Sequence, residues 1–254
     1  MATTIQVRVL GPVVVEVDGQ RIDLAGKLER GVVSALVLGL GHVVSVDHLV
    51  ASLWGEDPPA TAHAIVQSVV SRLRAKVTDD FIQADDHGYR LEVAADGVDA
   101  VRFERLLDTA MRSLDTDPPR AGDLARQALD LWRGDAFGQL GEEPPFSLEA
   151  RRLSELRDVA IEVRVEADLS TGDPRRAIPR LENLVEAHPY NERLWYLLAW
   201  SLASNGRRTE ALRVCRGLRT VLAEVGLEAG QDITAIEDEI LAGRLIPETG
   251  RSPV

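Results

Sequence analysis

Between Thr61 and Val77 the chain sets Gln67, Ser68, Ser71, Arg72, Arg74 and Lys76 opposite an apolar stripe. Val66, Val70, Leu73 and Val77 recur at i, i+4, i+7 and i+11, the spacing of one helical face. Those polar types on one helix are able to read DNA. An arginine fork fits guanine O6 and N7, a glutamine amide fits adenine, and a serine hydroxyl serves base or phosphate. Arg72 and Gln67 are therefore the candidate base readers, with Ser68 and Ser71 beside them. Arg74 and Lys76, nearer the helix end, suit backbone phosphates. Thr61 is placed at the N-cap. The same face is also what any solvated amphipathic helix presents, so its meaning depends on its surroundings.

Other chemistry is thin. His42, His48, His63, His87 and His188 are scattered, with no pair at i, i+4 and no HExxH pattern, so no metal is expected. Cys215 is the only cysteine, which rules out an internal disulfide and a cysteine zinc site and fits a small buried residue. Nothing clusters a nucleophile, a base and oxyanion donors, so neither catalysis nor a cofactor is expected. Trp132, Trp195, Trp200 and Tyr196 fall at helical spacings and read as core, with an exposed partner groove at Trp195 or Tyr196 as the alternative.

The elements that must position the candidate helix come before and after it. Ile5, Val7 and Val9 alternate with polar residues, Val13 to Val17 is a β-branched run, and Asp18-Gly19 signals a two-residue hairpin. Val32, Val33, Leu36 and Leu40 predict a helix over 29–40 that stops at Gly41. Ser45 is the expected N-cap of a second helix carrying Leu49, Val50, Leu53 and Trp54. Gly55-Glu56-Asp57-Pro58-Pro59 must be a loop, because two prolines forbid helix continuation. After the third helix, 81–84 and 89–93 read as strands joined by Asp85-Asp86-His87-Gly88. A small sheet, three helices and a hairpin make a winged helix-turn-helix with an extra N-terminal sheet. His87 and Arg90 then lie in the wing, within reach of phosphate or the minor groove.

After Gly97 the period is helical throughout, with helices expected over 101–114, 119–132, 146–169, 175–187, 192–204, 209–225 and 234–241. Gly172 and Gly206 are 34 residues apart, as are Ala177 and Ala211, which is the tetratricopeptide period. Asp117-Pro118-Pro119-Arg120-Ala121 echoes Asp173-Pro174-Arg175-Arg176-Ala177. Helix pairs of this kind gain stability by stacking. The tail over 247–254 reads as frayed. Two domains are expected, 1–97 and 98–254.

Net charge is −12, acidic on both sides of that boundary (−5 before Val98, −7 from it). Nucleic-acid binders usually carry a basic patch, so any DNA contact must come from a local cluster in an unfavourable field. Only Lys27 and Lys76 are lysines; the remaining positive charge is arginine, in the fork geometry that grips phosphate and guanine. No apolar run reaches the roughly 20 residues of a membrane span and no signal peptide opens the chain, so a cytoplasmic, nucleoid-associated protein is expected.

The N-terminal part resembles the OmpR-type winged helices, and the chain over about 5–243 resembles the Streptomyces antibiotic regulatory protein (SARP) family. The likeness lies in Val9-Leu10-Gly11-Pro12; in Ser45-Val46-Asp47 with Leu53-Trp54-Gly55-Glu56-Asp57-Pro58-Pro59; in Gln67-Ser68 with Ser71-Arg72-Leu73-Arg74; in Gly88-Tyr89-Arg90-Leu91; and in Phe103-Glu104 with Ala128-Leu129-Asp130-Leu131-Trp132-Arg133-Gly134. It implies a bacterial transcriptional activator domain after the winged helix. It also implies double-stranded promoter DNA with direct repeats, a homodimer on that DNA, RNA polymerase holoenzyme as partner, and pathway-specific control of secondary metabolism. By the same resemblance Glu56, Asp57, Pro58 and Pro59 are where polymerase is met; by composition alone they are a plain turn. Longer relatives add a nucleotide-binding domain, and with no Walker A sequence this chain resembles the short form. Two departures stand out: the acidic wing tip, and Gly26-Lys27-Leu28-Glu29-Arg30-Gly31, where relatives are more basic. The alternative function keeps the fold, weakens DNA binding and acts on proteins through the helical repeats.

Overall fold

The alternating residues near the N-terminus pair as expected. In the computed structural model, which describes residues 3–171 and 174–244, β1 (Ile5–Arg8), β2 (Val14–Val17) and β3 (Gln20–Ile22) form an antiparallel sheet in that order. Asp18 and Gly19 both take positive φ, 51° and 81°, which is how an Asp-Gly pair turns a tight hairpin.

Three helices follow: α1 (Gly26–Leu38), α2 (Val46–Trp54) and α3 (Ala62–Lys76). They pack against one another through Val32, Val33 and Leu36 of α1, Leu49 and Val50 of α2, and Val66, Val70 and Leu73 of α3, all buried. Ser45 caps α2, its hydroxyl accepting from the His48 N–H at 3.1 Å. Thr61 sits at the N-cap of α3 but its side chain makes no cap bond; the first-turn Ile65 N–H donates to the Thr61 carbonyl instead.

The wing has one strand more than expected. β5 (Ile82–Asp85) and β6 (Gly88–Leu91) pair antiparallel, and β4 (Val44–Ser45) pairs with the other edge of β6. Two residues are too few for an alternation to reveal, and only the β-branched Val43-Val44 hinted at β4. Gly88 is required there. A Cβ at this position would stand 2.0 Å from the Val44 carbonyl oxygen, so only glycine lets the strands close.

From Asp99 onward the described elements are helical: α4 (Asp99–Ser113), α5 (Pro118–Leu129), α6 (Phe146–Thr171), α7 (Pro174–Ala187), α8 (Glu192–Ser204), α9 (Arg208–Glu224) and α10 (Gln231–Ala242). The expected helices are all present, with ends shifted by up to three residues.

Contacts divide the chain into two compact units, 1–106 with 127–157, and 107–126 with 158–254. This differs from the division expected after Gly97, and Asp99 gives the reason. Its carboxylate, 7% exposed, accepts the Val9 N–H at 2.7 Å and the Leu10 N–H at 3.2 Å. Arg133 donates its backbone N–H to Leu10 O and a guanidinium N–H to Pro12 O, and the Phe137 N–H donates to Val9 O. The N-terminal sheet is thus stitched to the segment after α5. Phe103 packs edge-on against Trp132, and Arg157 lies 4.9 Å over the same indole.

In the second unit α7 packs on α8, α8 on α9, and α10 against both α8 and α9. Of the small residues of the repeat, Ala121 and Ala211 are fully buried and Ala177 is half-buried, and Gly206 turns the chain with φ 78°. Gly172, Asp173 and the tail over 247–254 lie outside the described residues. Trp195 belongs to the core side, its indole N–H donating to Pro189 O at 2.9 Å and its ring resting on Gly217. Tyr196 stacks under Arg193 at 4.9 Å. Cys215 is fully buried, which pushes its thiol up to about 11, so it stays protonated and inert near neutral pH.

Candidate nucleic-acid interface

The apolar stripe of α3 is turned into the helical core, which leaves the opposite face to solvent. Gln67, Ser68, Ser71 and Arg72 are all exposed on it, with Thr61 at its start. The fifteen residues of α3 contain no carboxylate. Arg72 donates Nη1–H to Ser68 Oγ at 2.9 Å, one helical turn back, so the guanidinium lies along the face.

A residue that the sequence reading missed sets this geometry. Glu29 of α1 is 1% exposed, with Lys76 Nζ at 2.7 Å and Arg72 Nε at 3.3 Å from its oxygens. The Ala25 N–H donates to it as well, at 2.7 Å. Burial alone would raise its pKa, but the hydrogen bonds from Lys76, Ala25 and Arg72 and the Lys76 charge outweigh burial and hold the carboxyl below its ordinary value. A buried carboxylate in α1 therefore anchors two cations of α3. The signal was present: Glu29 stands three and four residues before Val32 and Val33, on the inward face.

Arg74 and Lys76, expected on phosphates, hold contacts inside the unit. Arg74 donates Nε–H to Ile82 O at 2.7 Å and lies 6.0 Å over the Tyr89 ring, which clamps α3 to the wing. Lys76 also donates to Asp23 O at 2.9 Å. Arg72 is the cation of α3 with the greatest freedom, its side chain half exposed.

The wing turn is exposed from Ala84 to His87. The His87 N–H donates to Asp85 Oδ1 at 3.3 Å, and Arg90 pairs with Glu92 at 3.5 Å. The loop carrying Glu56, Asp57, Pro58 and Pro59 is exposed throughout and makes no side-chain bond among the described residues. His63 pairs with Asp47 at 2.7 Å and His188 with Asp158 at 3.1 Å. Among the described residues no three metal-binding side chains come together, and no helix is long and apolar enough to cross a membrane.

Known proteins place this geometry in context. The model of the bacterial transcriptional activator domain matches residues 98–241, and that of the transcriptional regulatory protein C-terminal domain matches 19–91. The regulatory protein DnrI of Streptomyces peucetius is 32% identical, the alignment covering 93% of this chain and 92% of DnrI. The regulatory protein AfsR of Streptomyces coelicolor is 35% identical over 92% of this chain, which spans only 24% of AfsR. Mycobacterium tuberculosis EmbR, solved in complex with a low-affinity phosphopeptide, superposes with a TM-score of 0.89 at 28% identity over 98% of this chain and 67% of EmbR. With an OmpR-type winged helix, the activator domain after it and relatives matched along nearly the whole chain, the protein belongs to the Streptomyces antibiotic regulatory protein family of transcriptional activators.

Proposed function

We propose that this chain activates transcription by laying α3 in the major groove of double-stranded promoter DNA at direct repeats, as a homodimer on that DNA. The observation that carries the reading is the carboxylate-free face of α3, with Arg72 pre-aimed by Glu29 and Ser68. Gln67 and Arg72 read base edges, Ser68 and Ser71 serve base or phosphate, and Thr61 meets the backbone at the helix start. His87 and Arg90 contribute at most a phosphate contact from the wing. Arg74 and Lys76 act chiefly by holding α3 in place. The exposed turn from Glu56 to Pro59 meets RNA polymerase holoenzyme. DNA binding belongs to residues 1–97 and activation to 98–254, although the folding units divide elsewhere. The regulated genes are those of a secondary-metabolite pathway, and the protein works in the cytoplasm at the nucleoid.

Footprinting on the DNA upstream of its own gene tests this reading. Protection of two direct repeats, lost with Gln67→Ala and Arg72→Ala together, is expected. The acidic wing favours a second reading, in which the helical repeats bind proteins and DNA affinity is negligible. Absence of any protected repeat at low salt would select that one.

A further inference from the structure

Within the first unit, β3, the first turns of α1 and the turn over 137–143 enclose a cleft of about 450 Å³. That volume lies in the range of pockets that hold small organic ligands. Part of the lining is apolar, from Ile22, Phe137 and Leu140, and against it stand three cations, Arg21, Lys27 and Arg30. Lys27 and Arg30 are three residues apart and so share one face of α1.

The cations are not equally committed. Lys27 pairs with Glu143 at 2.6 Å, but both side chains are about 60% exposed, so the pair is weak and exchangeable. Arg30 gives one N–H to Leu24 O at 3.3 Å and keeps the others. Arg21 stands opposite Glu16 in the β2–β3 register, yet Arg8 already occupies that carboxylate at 2.7 Å. Among the described residues Arg21 has no ion-pair partner. Asp23 is the one other acid in the lining, so with Lys27 and Glu143 neutralising each other the cleft keeps a positive excess. Ala25 leaves α1 without a side-chain cap, and the positive end of that helix lies at the same wall.

We propose that this cleft binds a small anionic amphiphile, a carboxylate or phosphate on an apolar body, with the oxyanion on Arg21 and Arg30 and the body against Phe137 and Leu140. Arginine forks take either oxyanion in bidentate fashion. Lys76 of α3 bonds both the carbonyl of Asp23, in the cleft lining, and Glu29, the carboxylate that aims Arg72, so occupancy is transmitted to α3. That transmission rests on the DNA-binding reading; the ligand site itself does not.

Fluorescence titration of the full chain with 8-anilinonaphthalene-1-sulfonate, two aromatic systems bearing one sulfonate, tests the site. One saturable site is expected, weakened about tenfold or more by Arg21→Glu, the loss of one charge-assisted contact. Gln139→Trp, which fills the lining without changing charge, should abolish binding outright, with unaltered circular dichroism in both variants. The uncharged N-phenyl-1-naphthylamine should show no dependence on Arg21. Displacement by 1-naphthoate or by 1-naphthyl phosphate then tells which oxyanion is preferred. Non-saturating fluorescence, or affinity unchanged in both variants, overturns the site. A shift in promoter affinity with saturating 1-naphthoate, absent in Arg21→Glu, is expected for the transmission; ligand binding with no shift overturns that part alone. Loss of DNA binding with and without ligand would count against the DNA reading and leave the site standing.

Discussion

Helix α3 brings Arg72, Arg74 and Lys76 and no carboxylate, whereas the wing turn a few residues later brings Asp85, Asp86 and His87. Both belong to the same small domain. In α3 the cations are organised from beneath by Glu29, and Arg74 is spent on holding the wing through Ile82 O. At the wing tip the contacts are local and exposed: His87 donates its backbone N–H to Asp85, and its Nδ1 lies 3.6 Å from the same carboxylate. On the proposed reading, affinity for a polyanion in a protein of net charge −12 comes from a few pre-aimed side chains on one helix. On the same proposed reading the wing supplies shape to the domain and mild repulsion to the DNA.

The largest expected effect breaks the wing's frame. Gly88→Ala drives a methyl group onto the Val44 carbonyl and should cost about 3 kcal/mol of stability, the upper end for overpacking. Thermal and urea unfolding would measure it. Near-wild-type stability would mean that β4 and β6 are not closed as described.

Arg72→Ala comes next. Loss of about 1–3 kcal/mol of specific DNA affinity is expected, with preference relaxed at one base position, as for a single bidentate contact. Competition binding against a set of single-base operator variants reads both quantities. A uniform loss across all sequences would move Arg72 from base to backbone.

Glu29→Gln sharpens the comparison from beneath α3. Because the folded-state pKa of Glu29 is lowered, its contribution is fully present above the unfolded value of about 4.3 and is lost as pH falls through the folded one. At pH 7 the variant should be less stable by about 1–3 kcal/mol, the range for hydrogen bonds to a charged group. The gap should begin to narrow as pH falls below the unfolded value and vanish once pH lies below the lowered folded-state value, where the wild-type carboxyl is protonated too. A gap of constant size from pH 7 to pH 3 would show that charge is not what Glu29 contributes.

The smallest effect belongs to the wing tip. Asp85→Asn with Asp86→Asn should tighten DNA binding several-fold at low salt and less at high salt, since exposed charge pairs are worth about 0–1 kcal/mol each and are screened over about 10 Å at 0.1 M. Weakened binding would instead assign Asp85 a structural part in holding His87.

Much of this was legible in the sequence. The Asp18-Gly19 hairpin, the Ser45 cap and the buried stripe of α3 followed from spacing and turn chemistry, because local signals dictated them. The exposed face with Gln67, Ser68, Ser71 and Arg72 followed from the same periodicity. What escaped depended on partners distant in sequence. Glu29 meets Arg72 and Lys76 across more than 40 residues, and Asp99 meets Val9 and Leu10 across about 90. No local pattern tells a lysine bound for phosphate from one bound for a buried glutamate. The compact units were hidden for the same reason, since Arg133 and Phe137 join the N-terminal sheet through backbone bonds that leave no trace in composition.

The most direct test of α3 as a DNA reader is fluorescence anisotropy with the promoter repeat and a scrambled duplex, each titrated from 50 to 200 mM salt. Wild-type protein is expected to bind the repeat at least about 10³-fold more tightly than the scramble, with affinity for both falling as salt rises. Arg72→Ala should cut that discrimination by roughly 5- to 150-fold, the equivalent of about 1–3 kcal/mol, while the scramble affinity changes little. Equal, salt-insensitive affinity for the two duplexes, unchanged by Arg72→Ala, would contradict it.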